Sequence, residues 1–280
     1  MPSCYHSQIK FLFAALVCSL SIVSAAPSTI YAKFIPNSVK AGISAGDAFD
    51  AVKDHIGWWY DWTPAPRYHT GKPVAVSMLW GDGTADRQDA DRLATFKKLT
   101  TVPQFLLGFE EPDCASGHGS AGMTVQQGVD AWEKYIAPMK AKGALLGSPS
   151  MCKQADETWL AEFKAKIKTP WDFTAIHINK QDLEGVKRDI KHYKDTYGLP
   201  IWVTELACVN DVNGFAPCTD QSIINNFIDT VVPYLQSNAD VTAYAYSNGQ
   251  ELGDVWPMTK SDGSLSESGK RYISVISKYH

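Results

Sequence analysis

Eight short apolar runs alternate with amphipathic stretches along most of this 280-residue chain, and no other feature narrows the choice of fold so far. The runs cover residues 41–44, 57–61, 73–79, 105–109, 144–148, 173–178, 201–204 and 241–246. Helix-period stretches occupy 47–55, 86–99, 124–142, 155–168, 183–197 and 221–236, with a closing one at 266–278. Several of these begin on capping residues, as at Thr124 with Gln127 three places on and at Asp220. Apolar runs separated by helices read as parallel strands with helical crossovers. Eight of them with no linker or composition shift predict an α/β chain folded as a single (β/α)8 TIM barrel. An open doubly wound sheet would call for a nucleotide-binding fingerprint, and neither G-x-G-x-x-G nor a phosphate-binding Gly-Lys-Ser occurs.

Residues 1–26 have the pattern of a secretory signal: Lys10, an apolar core from Phe11 to Val23, and the small residues Ser24, Ala25 and Ala26. The expected mature domain is therefore 27–280, secreted to the extracellular space or cell wall. That apolar core is too short to span a bilayer, and no later stretch is long enough. Of six cysteines, Cys4 and Cys18 lie in the leader, which leaves Cys114, Cys152, Cys208 and Cys218. An even number in an exported chain suggests two disulfides. Three pairings are possible; Cys208 with Cys218 closes the shortest loop, and Cys114 with Cys152 would follow. No pair has the C-x-x-C spacing of a zinc site, H-E-x-x-H is missing and His177 has no second histidine nearby, so neither metal nor other cofactor is expected. The formal charge of −4 becomes −5 without Lys10, and no basic run occurs, which argues against nucleic acid or an anionic membrane as partner. A monomer is expected.

Two of the apolar runs end on acids: Phe105-Leu106-Leu107-Gly108-Phe109 on Glu110 and Glu111, and Ile201-Trp202-Val203-Thr204 on Glu205. Counted from the first run these follow strands four and seven, and the C-terminal strand ends of such a barrel build its active site. A carboxylate on each of two strand ends is the arrangement needed when one acid gives a proton across a sugar and the other attacks or steadies the cationic carbon. The bland alternative is that each caps a helix or pairs with a basic residue at the rim.

The Gly-Phe-x-Glu-Pro segment after strand four, Trp-Val-Thr-Glu on strand seven and the Trp/Tyr-rich second strand together resemble glycoside hydrolase family 128, secreted barrel β-1,3-glucanases common in fungi. The resemblance runs from about Lys40 to Tyr279. It implies retaining hydrolysis of β-1,3-glucan or its oligosaccharides, with Glu111 matching the acid/base and Glu205 the nucleophile. Glu110 is a departure, because the resemblance places Asn before the acid/base. Two readings stay open for it: an acceptor for a sugar hydroxyl, or a group turned aside onto a cation. It could also replace Glu111 as proton donor, although the position before Pro112 favours Glu111. Binding without cleavage and transfer to a sugar acceptor remain alternatives to hydrolysis.

The aromatic residues Trp59, Tyr60 and Trp62 near strand two, Trp80 after strand three, Tyr246 on strand eight and Trp256 beyond it are candidate sugar platforms. Strand alternation forbids that all of Trp58, Trp59, Tyr60 and Trp62 line one cleft, and Trp58 is assigned to the core. His177 at the end of strand six, Asn179 two places on and Asn248 complete the expected substrate-binding set. Thr204 should point away from Glu205, and Asp113 should begin a loop stapled at Cys114.

Overall fold

The computed structural model describes residues 1, 31–46, 48–67, 71–117, 119–212 and 214–279. The expected leader, Met1 aside, and Asp47 lie outside the described residues. Each of the eight strand candidates forms a strand: β1 (Ala41–Ser44), β2 (Trp58–Tyr60), β3 (Val74–Ala75) with β4 (Ser77–Met78), β5 (Phe105–Leu107), β6 (Leu145–Leu146), β7 (Thr174–Lys180), β8 (Ile201–Asn210) and, after a short β9 (Ala216–Pro217), β10 (Val241–Ser247). The third candidate splits at Val76, so that β3 pairs with β2 while β4 pairs with β5.

Hydrogen bonding orders one sheet β3-β2-β1-β10-β8-β7 and a second β4-β5-β6. All of these pairs are parallel; only β9, folded back on β8, is antiparallel. The sheets meet at two seams. At one, the chain runs straight from β3 into β4 through Val76, whose N–H donates to Trp59 O at 2.9 Å. At the other, Gly147 bridges Phe173, and Ser148 N donates to Phe173 O at 3.0 Å.

Side-chain size explains how the inner face fills. Trp202 of β8 lies 4.8 Å from Trp58 of β2, 4.8 Å from Phe105 of β5 and 4.3 Å from Phe173 just before β7, ring centroid to ring centroid. The contacts with Trp58 and Phe105 reach across strands that are not hydrogen-bonded neighbours of β8. Their bulk leaves room only for small residues opposite, and a Cβ on Gly42 of β1 would come within 2.5 Å of the Trp58 indole. Trp58 is thus the core residue the sequence suggested.

The helices pack outside by their apolar stripes. In α6 (Leu183–Tyr197), Asp182 caps the start by accepting from Gly185 N at 2.7 Å, and Gly198 at φ 71° ends it. Val186, Ile190, Tyr193 and Tyr197 form its buried stripe. The long helix expected over 124–142 begins with the capping box of Thr124 and Gln127 but is interrupted, because Pro138 has no N–H to give. It resolves into α3 (Val125–Ala131), one π turn (Trp132–Ile136) and α4 (Ala137–Ala141). Among the described residues no helix is long and apolar enough to cross a membrane.

Candidate functional site

The C-terminal ends of β2, β5, β7, β8 and β10 bring three glutamates around one imidazole. Glu205 arrives through a bulge. Ile176 of β7 pairs with Val203, yet His177 pairs with Glu205, and on the other side Tyr244 pairs with Val203 while Tyr246 pairs with Leu206. Thr204 is the extra residue, so simple alternation fails there and Glu205 turns to the same side as His177. Thr204 is buried, its hydroxyl donating to Ile176 O at 3.1 Å.

Glu205 is heavily solvated by protein donors. Its Oε1 accepts from Trp62 Nε1 at 2.9 Å and from the Tyr60 hydroxyl at 3.3 Å, and its Oε2 accepts from Ser247 Oγ at 2.7 Å. Glu110, 4% exposed, lies in the same buried cluster, its Oε1 and Glu205 Oε1 both facing His177 Nε2. Burial pushes Glu110 well above the usual carboxylate range; the charge of His177 opposes this, and Glu205 and Glu111 reinforce it. Glu110 accepts from Ser150 Oγ at 3.2 Å.

Glu111 faces the other way. Its backbone is left-handed, φ 45°, an uncommon conformation for a residue with a Cβ, and its N–H donates to Ser150 O at 2.9 Å. Its Oε2 accepts from Ser120 Oγ at 2.7 Å, and its Oε1 meets His177 Nδ1 at 2.9 Å. Burial works to raise this carboxyl, but the hydrogen bond and charge of His177, with Ser120, outweigh burial and hold it below its ordinary value. For His177, 1% exposed, burial alone would favour the neutral ring; the surrounding carboxylates prevail and raise it to about 10. Its Nε2 stands 3.7 Å from Glu110 Oε1 and 3.9 Å from Glu205 Oε1. Glu111 and Glu205 thus address opposite nitrogens of one imidazolium ring.

The loops behind this cluster are stapled. Cys114–Cys152 joins the segments after β5 and β6, with Cα atoms 6.2 Å apart, and Asp113 accepts from Cys152 N at 2.9 Å and Lys153 N at 3.1 Å. Cys208–Cys218, with Cα atoms 5.5 Å apart, closes the β8–β9 hairpin above Glu205.

Of the expected sugar-binding residues, Tyr60, Trp62, Glu110 and His177 converge on this cluster, and half-buried Trp62 carries a left-handed backbone at φ 57°. Asn179 lies two places beyond His177 on the same face of β7, its N–H donating to Gln154 Oε1 at 2.9 Å. Asn248 sits at the rim and ties β10 to the end of β1, Nδ2 donating to Ala45 O at 3.1 Å. Trp80 is buried with the Arg92 guanidinium 4.8 Å from its ring, and its carbonyl accepts from Glu110 N at 2.8 Å.

Three aromatic assignments are corrected by register. Trp59 pairs with Ile43, which pairs with Tyr246, so all three share the outer face. Trp59, 2% exposed, packs edge-on against Phe49 of α1 (Phe49–Val52), 5.4 Å between centroids. Tyr246 stacks on Trp256 at 4.2 Å, and Phe227 of α7 (Gln221–Ser237) closes over Trp256 at 6.0 Å. Trp59, Tyr246 and Trp256 are helix-layer core residues, placed away from the cleft. What the sequence reading missed is Ser120, Ser150 and Ser247, each donating to one of the three acids. Only Ser247 left a trace, as the small inward neighbour of Ala243 and Ala245 between outward tyrosines.

Comparison with known proteins now gives the class. Residues 37–272 match the family model described as glycosyl hydrolase catalytic core. Alkali-sensitive linkage protein 1 of Schizosaccharomyces pombe is 28% identical over 243 residues, 83% of this chain and 43% of that protein, so the chain spans less than half the length of this curated relative. Two solved structures are nearer: GH128 subgroup VII oligosaccharide-binding proteins from Trichoderma gamsii and Cryptococcus neoformans, each 50% identical with a TM-score of 0.86. Each match covers 88% of this chain, and 96% and 97% of theirs. The chain belongs to glycoside hydrolase family 128, whose other solved members include proteins named as exo- and endo-β-1,3-glucanases.

Proposed function

We propose that this chain binds β-1,3-glucan oligosaccharides at the rim above Glu205 without cutting them, as a secreted, monomeric (β/α)8 barrel. The observation that carries this reading is Glu111 already engaged by His177 Nδ1, while buried Glu110 and Glu205 share the opposite nitrogen of the same ring. A retaining hydrolase needs one protonated carboxyl aimed at the leaving oxygen and one ionised carboxyl free to attack. Here Glu111 has surrendered its proton to an ion pair, and the proton that remains lies on buried Glu110. Glu205 accepts three hydrogen bonds, from Tyr60, Trp62 and Ser247, which occupy its lone pairs and blunt its nucleophilicity. An indole N–H donated to Glu205 fixes Trp62 at the rim as a sugar platform. The linkage is inferred from the family, and the binding role agrees with the description given to the two nearer relatives. Barrel closure is supported by the bridge between Gly147 and Phe173 and by rings that meet across non-neighbouring strands.

The second reading is retaining hydrolysis with Glu111 as acid/base and Glu205 as nucleophile, favoured by the position of both carboxyls at strand ends on one face. Calorimetric titration of the purified protein with laminari-oligosaccharides, run beside a reducing-end assay, decides between them. Saturable binding with no new reducing ends is expected. New reducing ends that vanish in Glu205→Gln would establish hydrolysis instead.

A further inference from the structure

We propose that Phe215, on the stapled hairpin beyond β8, is a second sugar platform, one that only a β-1,3-glucan chain longer than a short oligosaccharide reaches. The starting observation is a ring in water. Among the described residues the exposed large apolar side chains include two rings, Tyr279 in the last turn and Phe215, which is 53% exposed. Val212, 81% exposed, makes the same hairpin tip apolar. A single exposed apolar side chain needs no explanation, but register gives this one a direction. His177 pairs with Glu205 and Asn179 with Ala207, so Ala207 and, two places on, Val209 share the inward face of Glu205. Val209 pairs with Pro217 of β9, and Phe215 stands two places before Pro217, on that same face.

The loop after β10 joins the two ends of this path. A Cβ on Gly249 would come within 3.4 Å of Glu205 Oε2 and 3.9 Å of Leu252 Cδ1, and one on Gly253 within 3.4 Å of Pro217 Cβ. Glu205, Gly249, Leu252, Gly253 and Pro217 thus form a continuous floor from the acids to Phe215, bare of side chains at its two glycines. Continued by one place, the hairpin register sets Phe215 opposite Asp211, six residues beyond Glu205, which at about 3.3 Å per residue is about 20 Å along the strand. A trisaccharide seated over Trp62 does not span that distance; a longer chain does, and lays a further C–H face on the phenyl ring. The platform is fixed beforehand. Cys208–Cys218 clamps the stem of the hairpin, and Cys218 N donates to Cys208 O at 3.0 Å. A ring held in place before binding loses little freedom when a flexible chain settles on it. This inference rests on the sugar-binding reading and adds to it a preference for chain length.

Calorimetric titrations with laminaritriose and laminarihexaose test this on wild type, Phe215→Ala and Phe215→Trp. Wild type should bind the hexaose more tightly than the triose. Phe215→Ala should weaken the hexaose about 3- to 10-fold and leave the triose within about twofold. Its Tm should not move, because the ring is exposed. Phe215→Trp, which keeps an aromatic face, should restore the hexaose affinity. Hexaose affinity unchanged in Phe215→Ala, or both sugars weakened alike, would overturn the proposal and leave the binding reading standing. Failure of wild type to bind either sugar would sink both.

Discussion

Glu110→Gln and Glu110→Ala should part company, because the proton that Glu110 holds is what makes it replaceable by an amide. Gln keeps the contact with Ser150, its carbonyl accepting from Ser150 Oγ. It should therefore stay within about 1 kcal/mol of wild type. Ala removes the bond from Ser150, about 0.5–1.5 kcal/mol. The lost methylenes in a site this buried add roughly 1–2 kcal/mol. The total is about 1.5–3.5 kcal/mol, or roughly 3–14 °C in Tm for a domain of this size. Urea unfolding at pH 7, backed by thermal melts, measures both variants. If Glu110→Gln falls as far as Glu110→Ala, Glu110 is ionised in the native state and holds no proton.

Trp59→Ala should cost about 3–5 kcal/mol of stability as a core truncation, whereas Trp62→Ala should lower oligosaccharide affinity roughly tenfold or more while moving Tm far less; calorimetry and melting on both variants check this. Burial raises Asp189 to about 6, so it is a group the fold prefers protonated. Its penalty is absent below the unfolded value near 3.8 and grows to about 3 kcal/mol as pH rises past 6. Asp189→Asn should then stabilise at pH 7 and be nearly neutral at pH 3.5; equal effects at both pH values would refute the assignment. Intact mass of the native chain should rise by about four hydrogens on reduction, with peptides linking Cys114 to Cys152 and Cys208 to Cys218.

The order of strands, most helix starts and the Cys208–Cys218 pair were legible because each rests on local signals: apolar runs, capping residues, a short loop; Cys114 with Cys152, 38 residues apart, followed only as the remainder. Register was not legible. Tyr246 looks like a cleft aromatic, yet the interior already holds Trp58, Trp202, Phe105 and Phe173, so β10 can offer it only Ala243, Ala245 and Ser247. That complementarity lives between strands far apart in sequence. The bulge at Thr204 is equally hidden. Alternation carried from Trp202 would keep Thr204 inside and turn Glu205 outward, and only the skipped pairing with β7 and β10 shows that Glu205 faces in.

Glu110 bears on why a glycosidase scaffold can hold the acids of hydrolysis and be read as a binding protein. A carboxyl is a hydrogen-bond donor only while protonated, and burial keeps Glu110 in that form. It then stands beside Glu205 uncharged, as an amide would. The difference lies in the third charge it brings whenever it ionises, and His177 answers that charge. An imidazolium beside Glu110 and Glu205 has its other nitrogen on Glu111, so the cation that balances the cluster also strips Glu111 of the proton an acid catalyst must deliver. The two acids are thereby coupled through one ring. Changing Glu110 alone leaves Glu111 bound to His177, and the acid's proton returns only if the charge on His177 is also released.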